Sequence, residues 1–209
     1  KKYVHERATS TQQTGFSFVA QTRSWMPNPA KGILWFGVDD TYTTVYVPMY
    51  GAIDGAPENF REGNGSMSQY SPTSAFWLFN RVANFAYTRY CDMIVDIQRV
   101  QNALEYGAIQ QVKELDAKLK GMSEADMRKA MTKFSFNKSA EAFNAWKELD
   151  NYLLVKYVDG NIKKEKDGKF VETGYRPGDV VFPDQPAYPE AWYRMIVKDH
   201  GEVIKDLSK

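Results

Sequence analysis

Large apolar residues at positions 16 and 18 alternate with small or polar ones across residues 16–23 (FSFVAQTR), the two-residue period of a strand. Residues 33–38 (ILWFGV) are apolar almost without interruption, as in a strand covered on both faces. Residues 44–49 (TVYVPM) are β-branched and aromatic, and are expected to pair with 33–38 through the turn Asp39-Asp40-Thr41-Tyr42. Pro48 donates no ladder hydrogen bond, which puts it at a strand end or on an edge. Residues 51–71 are punctuated by Gly, Pro, Asn and Ser and read as loop.

From Pro72-Thr73-Ser74 the period changes to that of a helix. Phe76, Phe79, Ala83, Ala86, Tyr90, Ile94 and Ile97 recur at steps of three and four. The register continues through Val100, Leu104, Ala108, Val112, Leu115 and Leu119 to Gly121. As one helix this is roughly 65–70 Å long, with Gly107 the expected place for a break. Ser123, with Glu124 and Asp126 behind it, opens a shorter helix. A further helix over residues 139–158 places Ala142, Phe143, Trp146, Leu149, Leu153 and Tyr157 on one face. The sum is an antiparallel helical hairpin with turns near Gly121 and Asn137. Beyond it, the lysine-rich run around Asp167-Gly168 predicts a β-hairpin, and a last short helix runs from Pro189 or Glu190 to about His200.

Charge is distributed unevenly over the 209 residues. Residues 1–96 hold 8 Lys/Arg and 8 Asp/Glu with 17 aromatics, whereas residues 97–209 hold 19 and 18 with 13 aromatics. The first stretch therefore reads as core and the second as a solvated, mostly helical part. Three segments follow: 1–96 with the strands and the first helix, 97–160 as the hairpin, and 161–209 packing back on the core. The net charge of +1 gives no reason to expect capture of nucleic acid or of a membrane surface. No apolar run is long enough to span a bilayer.

Candidate chemistry is sparse. The single cysteine, Cys91, excludes an intrachain disulfide and a multi-cysteine metal site. It lies within the long helical pattern with no histidine near in sequence, which points to a buried structural thiol rather than a nucleophile. The two histidines, His5 and His200, stand at opposite ends and read as structural or solvated. Asp39-Asp40 offers a cation two carboxylates, but a turn accounts for the pair as well. Arg23 ends an apolar strand in a charge-poor region, where an arginine is either a paired structural charge or a receiver of a substrate carboxylate. Arg7 raises the same question.

Four blocks carry a likeness to a known family. They are 17–25 (SFVAQTRSW), 32–37 (GILWFG), 45–51 (VYVPMYG) and 74–81 (SAFWLFNR), with a weaker fifth at 188–192 (YPEAW). In order and spacing the set resembles the C-terminal half of peptidase family C69, which contains bacterial dipeptidases and is related to the secernins. The resemblance implies an α+β fold: the C-terminal part of the αββα sandwich of N-terminal-nucleophile hydrolases, extended by the long helix and hairpin. It implies that an N-terminal cysteine thiol attacks the peptide carbonyl with its own α-amino group as base, without metal or cofactor. This sequence begins at Lys1, so the expectation is a C-terminal portion whose nucleophile lies on a preceding part, inert alone, with no catalytic residue of its own. Arg7 and Arg23 are the candidate substrate-binding residues, and the expected partners are a dipeptide or short peptide and the preceding part of the protein. Self-association through exposed apolar surface is a further expectation. The alternative is a non-catalytic binding or structural module on the same scaffold, using the hairpin to contact a partner.

Overall fold

A computed structural model describes residues 8–171 and 183–200. The chain divides into two compact units, with the boundary between Leu153 and Leu154.

In the first unit, β1 (Phe16–Thr22), β2 (Gly32–Val38) and β3 (Val47–Tyr50) form an antiparallel sheet in that order. The register sets Phe18 against Phe36 and Trp35 against Pro48. Pro48 thus lies on an edge strand, where a missing ladder donor is tolerated. Side chains alternate across β2. Ile33 joins Tyr50 in a buried cluster with Val112, Leu119, Met127 and Met131 of the helices, with Trp35 packed against it. Phe36 faces the other way and meets Phe16 at 5.8 Å and Phe60 at 6.0 Å. Gly37 is held small by its neighbour: a Cβ there would lie 2.8 Å from Cγ2 of the buried Thr44. The cover expected on both faces reaches β2 only in part, and β1 remains largely exposed.

The long helical pattern is two helices, α1 (Ala75–Ala86) and α2 (Tyr90–Leu119). The break falls at residues 87–89 and not at Gly107, which sits inside α2. Short-range bonds close α1: the Thr88 hydroxyl donates to the Phe85 carbonyl at 2.7 Å, and the Arg89 N–H to that of Ala86 at 3.0 Å. Arg89 then leaves helical geometry at φ −153°, ψ 62°. The interruption resets the apolar phase, so that Met93 and Ile97 are buried on the new helix. Gly107 costs the helix about 1 kcal/mol relative to alanine, which thirty residues of helix absorb.

The two short helices expected after Gly121 are one, α3 (Glu124–Tyr157), about 50 Å long. No Gly or Pro interrupts it. Its interior serines anchor the end of β3 and the loop after it. Ser135 Oγ accepts the Tyr50 N–H at 3.3 Å, and Ser139 Oγ donates to Asn59. Asn137 is an exposed helical residue. Gly121, at φ 88°, makes the hairpin turn, and Ser123 caps α3 by accepting the Asp126 N–H at 3.2 Å. At the far end Arg99 lies over the Tyr152 ring at 5.5 Å, so α2 and α3 run antiparallel. Phe79 of α1 stacks on Trp146 of α3 at 4.8 Å, both fully buried.

The second unit holds the end of α3, a hairpin of β4 (Glu165–Lys166) and β5 (Lys169–Phe170), and α4 (Glu190–His200). Asp167 (φ 53°) and Gly168 (φ 74°) supply the two left-handed residues that a tight hairpin needs.

Candidate functional site

β1 ends at Thr22, and the chain turns over residues 23–31 into β2, with the Arg23 N–H donating to the Lys31 carbonyl at 2.8 Å. That turn carries the Arg23 side chain under the sheet, where it is 3% exposed. Its guanidinium pairs with Asp116 of α2, donates to the Ala30 carbonyl, and lies over the Tyr50 ring at 5.4 Å. The Tyr50 hydroxyl donates to the other Asp116 oxygen at 2.8 Å. Burial, and then the Asp116 carboxylate, push the Tyr50 hydroxyl up, so it stays a protonated donor. Arg23 Nε is buried without a partner. A carboxylate with both oxygens engaged and a cation with three contacts make a rigid, neutral corner between β1, β3 and α2.

The corner closes one end of a cleft of about 720 Å³ between the sheet and α2. Its walls are apolar and aromatic: Val19, Trp25 and Trp35 on the sheet side, Ile109 and Val112 on the helix side. Trp35 Nε1 donates to Gln21 Oε1 at 3.0 Å, which fixes the ring. Trp25 is 72% exposed at the mouth. Two charges besides the Arg23–Asp116 pair line the space, Glu105 and Lys113. Glu105 accepts the Tyr46 N–H at 3.0 Å, and burial raises its carboxyl above the ordinary value, partly offset by that hydrogen bond. Among the described residues, no cysteine, serine, threonine or histidine lines the cleft.

The other sequence candidates fall elsewhere. Arg7 and His5 lie outside the described residues, as does the His200 side chain. Cys91 is exposed, contrary to the expected burial, because the break at 87–89 puts it in the first turn of α2 rather than mid-helix. Asp39 and Asp40 do lie in the connection after β2, and both are 1% exposed. Asp39 adopts a left-handed conformation (φ 68°) and accepts from Asn80 Nδ2 at 2.6 Å, while its Oδ2 has no partner. Asp40 accepts from Ser10, from the Tyr42 N–H at 3.0 Å and from the Tyr87 hydroxyl at 2.5 Å. Desolvation raises the Asp39 carboxyl. Among the described residues no third ligand joins the pair in a metal-binding group.

Sequence reasoning missed Glu105, Lys113 and Asp116. The available signal was their spacing: Glu105, Ile109, Val112 and Asp116 share one helical face, placing two carboxylates in an apolar stripe.

The sequence model of peptidase family C69 matches residues 1–103. This part of the chain is similar to peptidase family C69. The C69 region spans all three strands of the main sheet, α1 and the start of α2, and contains the four blocks from which the resemblance was read. It supplies Arg23 and the sheet wall of the cleft. Glu105, Lys113 and Asp116, on the helical wall, lie beyond the matched stretch. No curated protein matches the chain.

Proposed function

We propose that the protein is a cysteine-type dipeptidase, within the peptidase activity that the C69 family implies. In this reading a thiol other than Cys91, at a free N-terminus, attacks the scissile carbonyl. The α-amino group takes the thiol proton and returns it to the leaving amine as the C–N bond breaks, and oxyanion donors hold the tetrahedral intermediate. Water then hydrolyses the resulting thioester to release the acyl group as a carboxylate and restore the thiol. The present chain supplies a substrate-binding wall. Arg23 contributes as the buried anchor of that wall, through its pair with Asp116. The observation that carries the reading is the C69 match, whose strands form one side of a peptide-sized cleft.

The test is dipeptide hydrolysis by the full-length protein, followed by release of free amine. Activity is expected to survive Cys91→Ser and chelation, and to be abolished by alkylation of the thiol elsewhere. Loss of turnover in Cys91→Ser with the fold intact overturns the assignment of the nucleophile. Absence of hydrolysis with dipeptide binding preserved favours the non-catalytic module.

A further inference from the structure

Glu105 and Lys113 stand eight residues apart on α2, which is about 12 Å along the helix axis. Both line the cleft, and neither has an ionic partner among the described residues. The positions three and four residues away from Glu105 hold no cation: they are Gln101, Asn102, Ala108 and Ile109. Around Lys113 the one acid at such spacing is Asp116, whose two oxygens are already held by Arg23 and Tyr50. Glu105 is half-buried and fixed by the Tyr46 N–H, whereas Lys113 is exposed and mobile on its stem. An anion and a cation without ionic partners among the described residues, both lining one apolar cleft, are the complement of a zwitterion with an apolar body.

A dipeptide carries an ammonium and a carboxylate at the two ends of a short backbone, roughly 7 Å when extended. A site for it needs one anion and one cation on the same cleft, which Glu105 and Lys113 supply. We propose that Glu105 and Lys113 bind the two termini of an unblocked dipeptide, the ammonium on Glu105 and the carboxylate on Lys113, with an apolar side chain between Trp25 and Trp35. The proposal rests on the dipeptidase reading for its substrate class and adds the residues that receive the two termini. Arg23 is not the carboxylate receiver here, because Asp116 already neutralises it. The raised Glu105 carboxyl fits this role, since an arriving ammonium supplies the countercharge that burial denies it.

Calorimetric titration of the thiol-alkylated full-length protein with Leu-Phe separates binding from turnover. N-acetyl-Leu-Phe is expected to bind about tenfold or more weakly than Leu-Phe, the ordinary worth of a charged hydrogen bond. Leu-Phe-amide is expected to lose about three- to tenfold, because Lys113 is solvated. Glu105→Gln keeps an acceptor for the Tyr46 N–H and so keeps the fold. It should bind Leu-Phe as weakly as the parent binds the N-acetylated form, with no further loss when both changes are combined. Lys113→Met should behave in the same way toward the amide. Equal affinity for blocked and unblocked dipeptides, additive losses in either pairing, or no binding of Leu-Phe at all overturns the proposal. Hydrolysis is a separate outcome: binding with the predicted dependence and no turnover leaves this inference standing and removes the dipeptidase reading.

Discussion

Two buried polar clusters sit at opposite ends of β2, and they are built on opposite principles. At one end Arg23, Asp116 and Tyr50 form a balanced set: one cation, one anion, and a hydroxyl that donates to the anion. At the other end Asp39 and Asp40 are buried side by side with neutral donors alone, from Ser10, Asn80, Tyr87 and the Tyr42 N–H. No salt bridge reaches them among the described residues. The balanced cluster opens onto the cleft; the unbalanced one holds Asp39, whose carboxyl is raised by burial. A buried charge that is neutralised locally can border a binding site, because it leaves that site's field to other groups, here Glu105 and Lys113. A buried carboxylate without a cation holds its energy in the fold instead.

The comparison breaks most easily at Asp116. Asp116→Ala leaves the Arg23 guanidinium buried and unpaired, with an expected loss of about 3–5 kcal/mol in denaturant unfolding. The double variant Arg23→Met/Asp116→Leu should recover most of it, since apolar replacement of a buried pair is near neutral. If the double variant is no better than the single one, the pair is not the self-contained unit described. At the other end, Asn80→Ala strips Asp39 of its one side-chain donor, and a loss of about 1–3 kcal/mol is expected by the same measurement. Tyr87→Phe removes one of several donors to Asp40 and should cost about 1 kcal/mol.

Their pH behaviour sharpens the contrast. Desolvation raises Asp39 above its ordinary value of 3.8, outweighing the Asn80 hydrogen bond, with neighbouring Asp40 adding to the rise. The folded state therefore binds this proton more tightly than the unfolded chain. Stability from that proton is fully present below about pH 3.8 and is lost as pH rises through the higher folded value. Asp39→Asn should flatten that fall, and asparagine suits the left-handed backbone at φ 68°. Unfolding midpoints of parent and variant, measured from pH 4 to pH 7, should diverge with rising pH in favour of the variant. Parallel curves would contradict a buried, proton-holding Asp39. The smallest expected effect is outside both clusters: Gly107→Ala, with open space at its Cβ, should stabilise α2 by about 0.5–1 kcal/mol.

The sheet was legible because its signals are local. Alternation at Phe16 and Phe18, the apolar run of β2 and Pro48 near a strand end each report their own surroundings. The helices were harder where a tertiary partner overrides local preference. The turn expected near Asn137 is absent: Ser135 bonds to the end of β3 and Ser139 to the loop after it, and α3 runs through them unbroken. The α1–α2 break has no Gly or Pro to announce it, whereas Gly107 announces one that packing does not require. The site was half visible for the same reason. Arg23 stood out at a strand end, but its partner is 93 residues away, on a helix that carried no motif. Cys91 was misread as buried because the break that exposes it was misplaced.

In the proposed reading the two ends of β2 divide their work, with substrate held at the cleft beside Arg23 and stability alone carried by Asp39 and Asp40. The most direct measurement is the KM of the full-length protein for an apolar dipeptide at pH 7 in two variants. Lys113→Met is expected to raise KM by about three- to tenfold, and Asp39→Asn to leave it unchanged. A KM that moves with Asp39→Asn and not with Lys113→Met would place the substrate at the wrong end of the sheet.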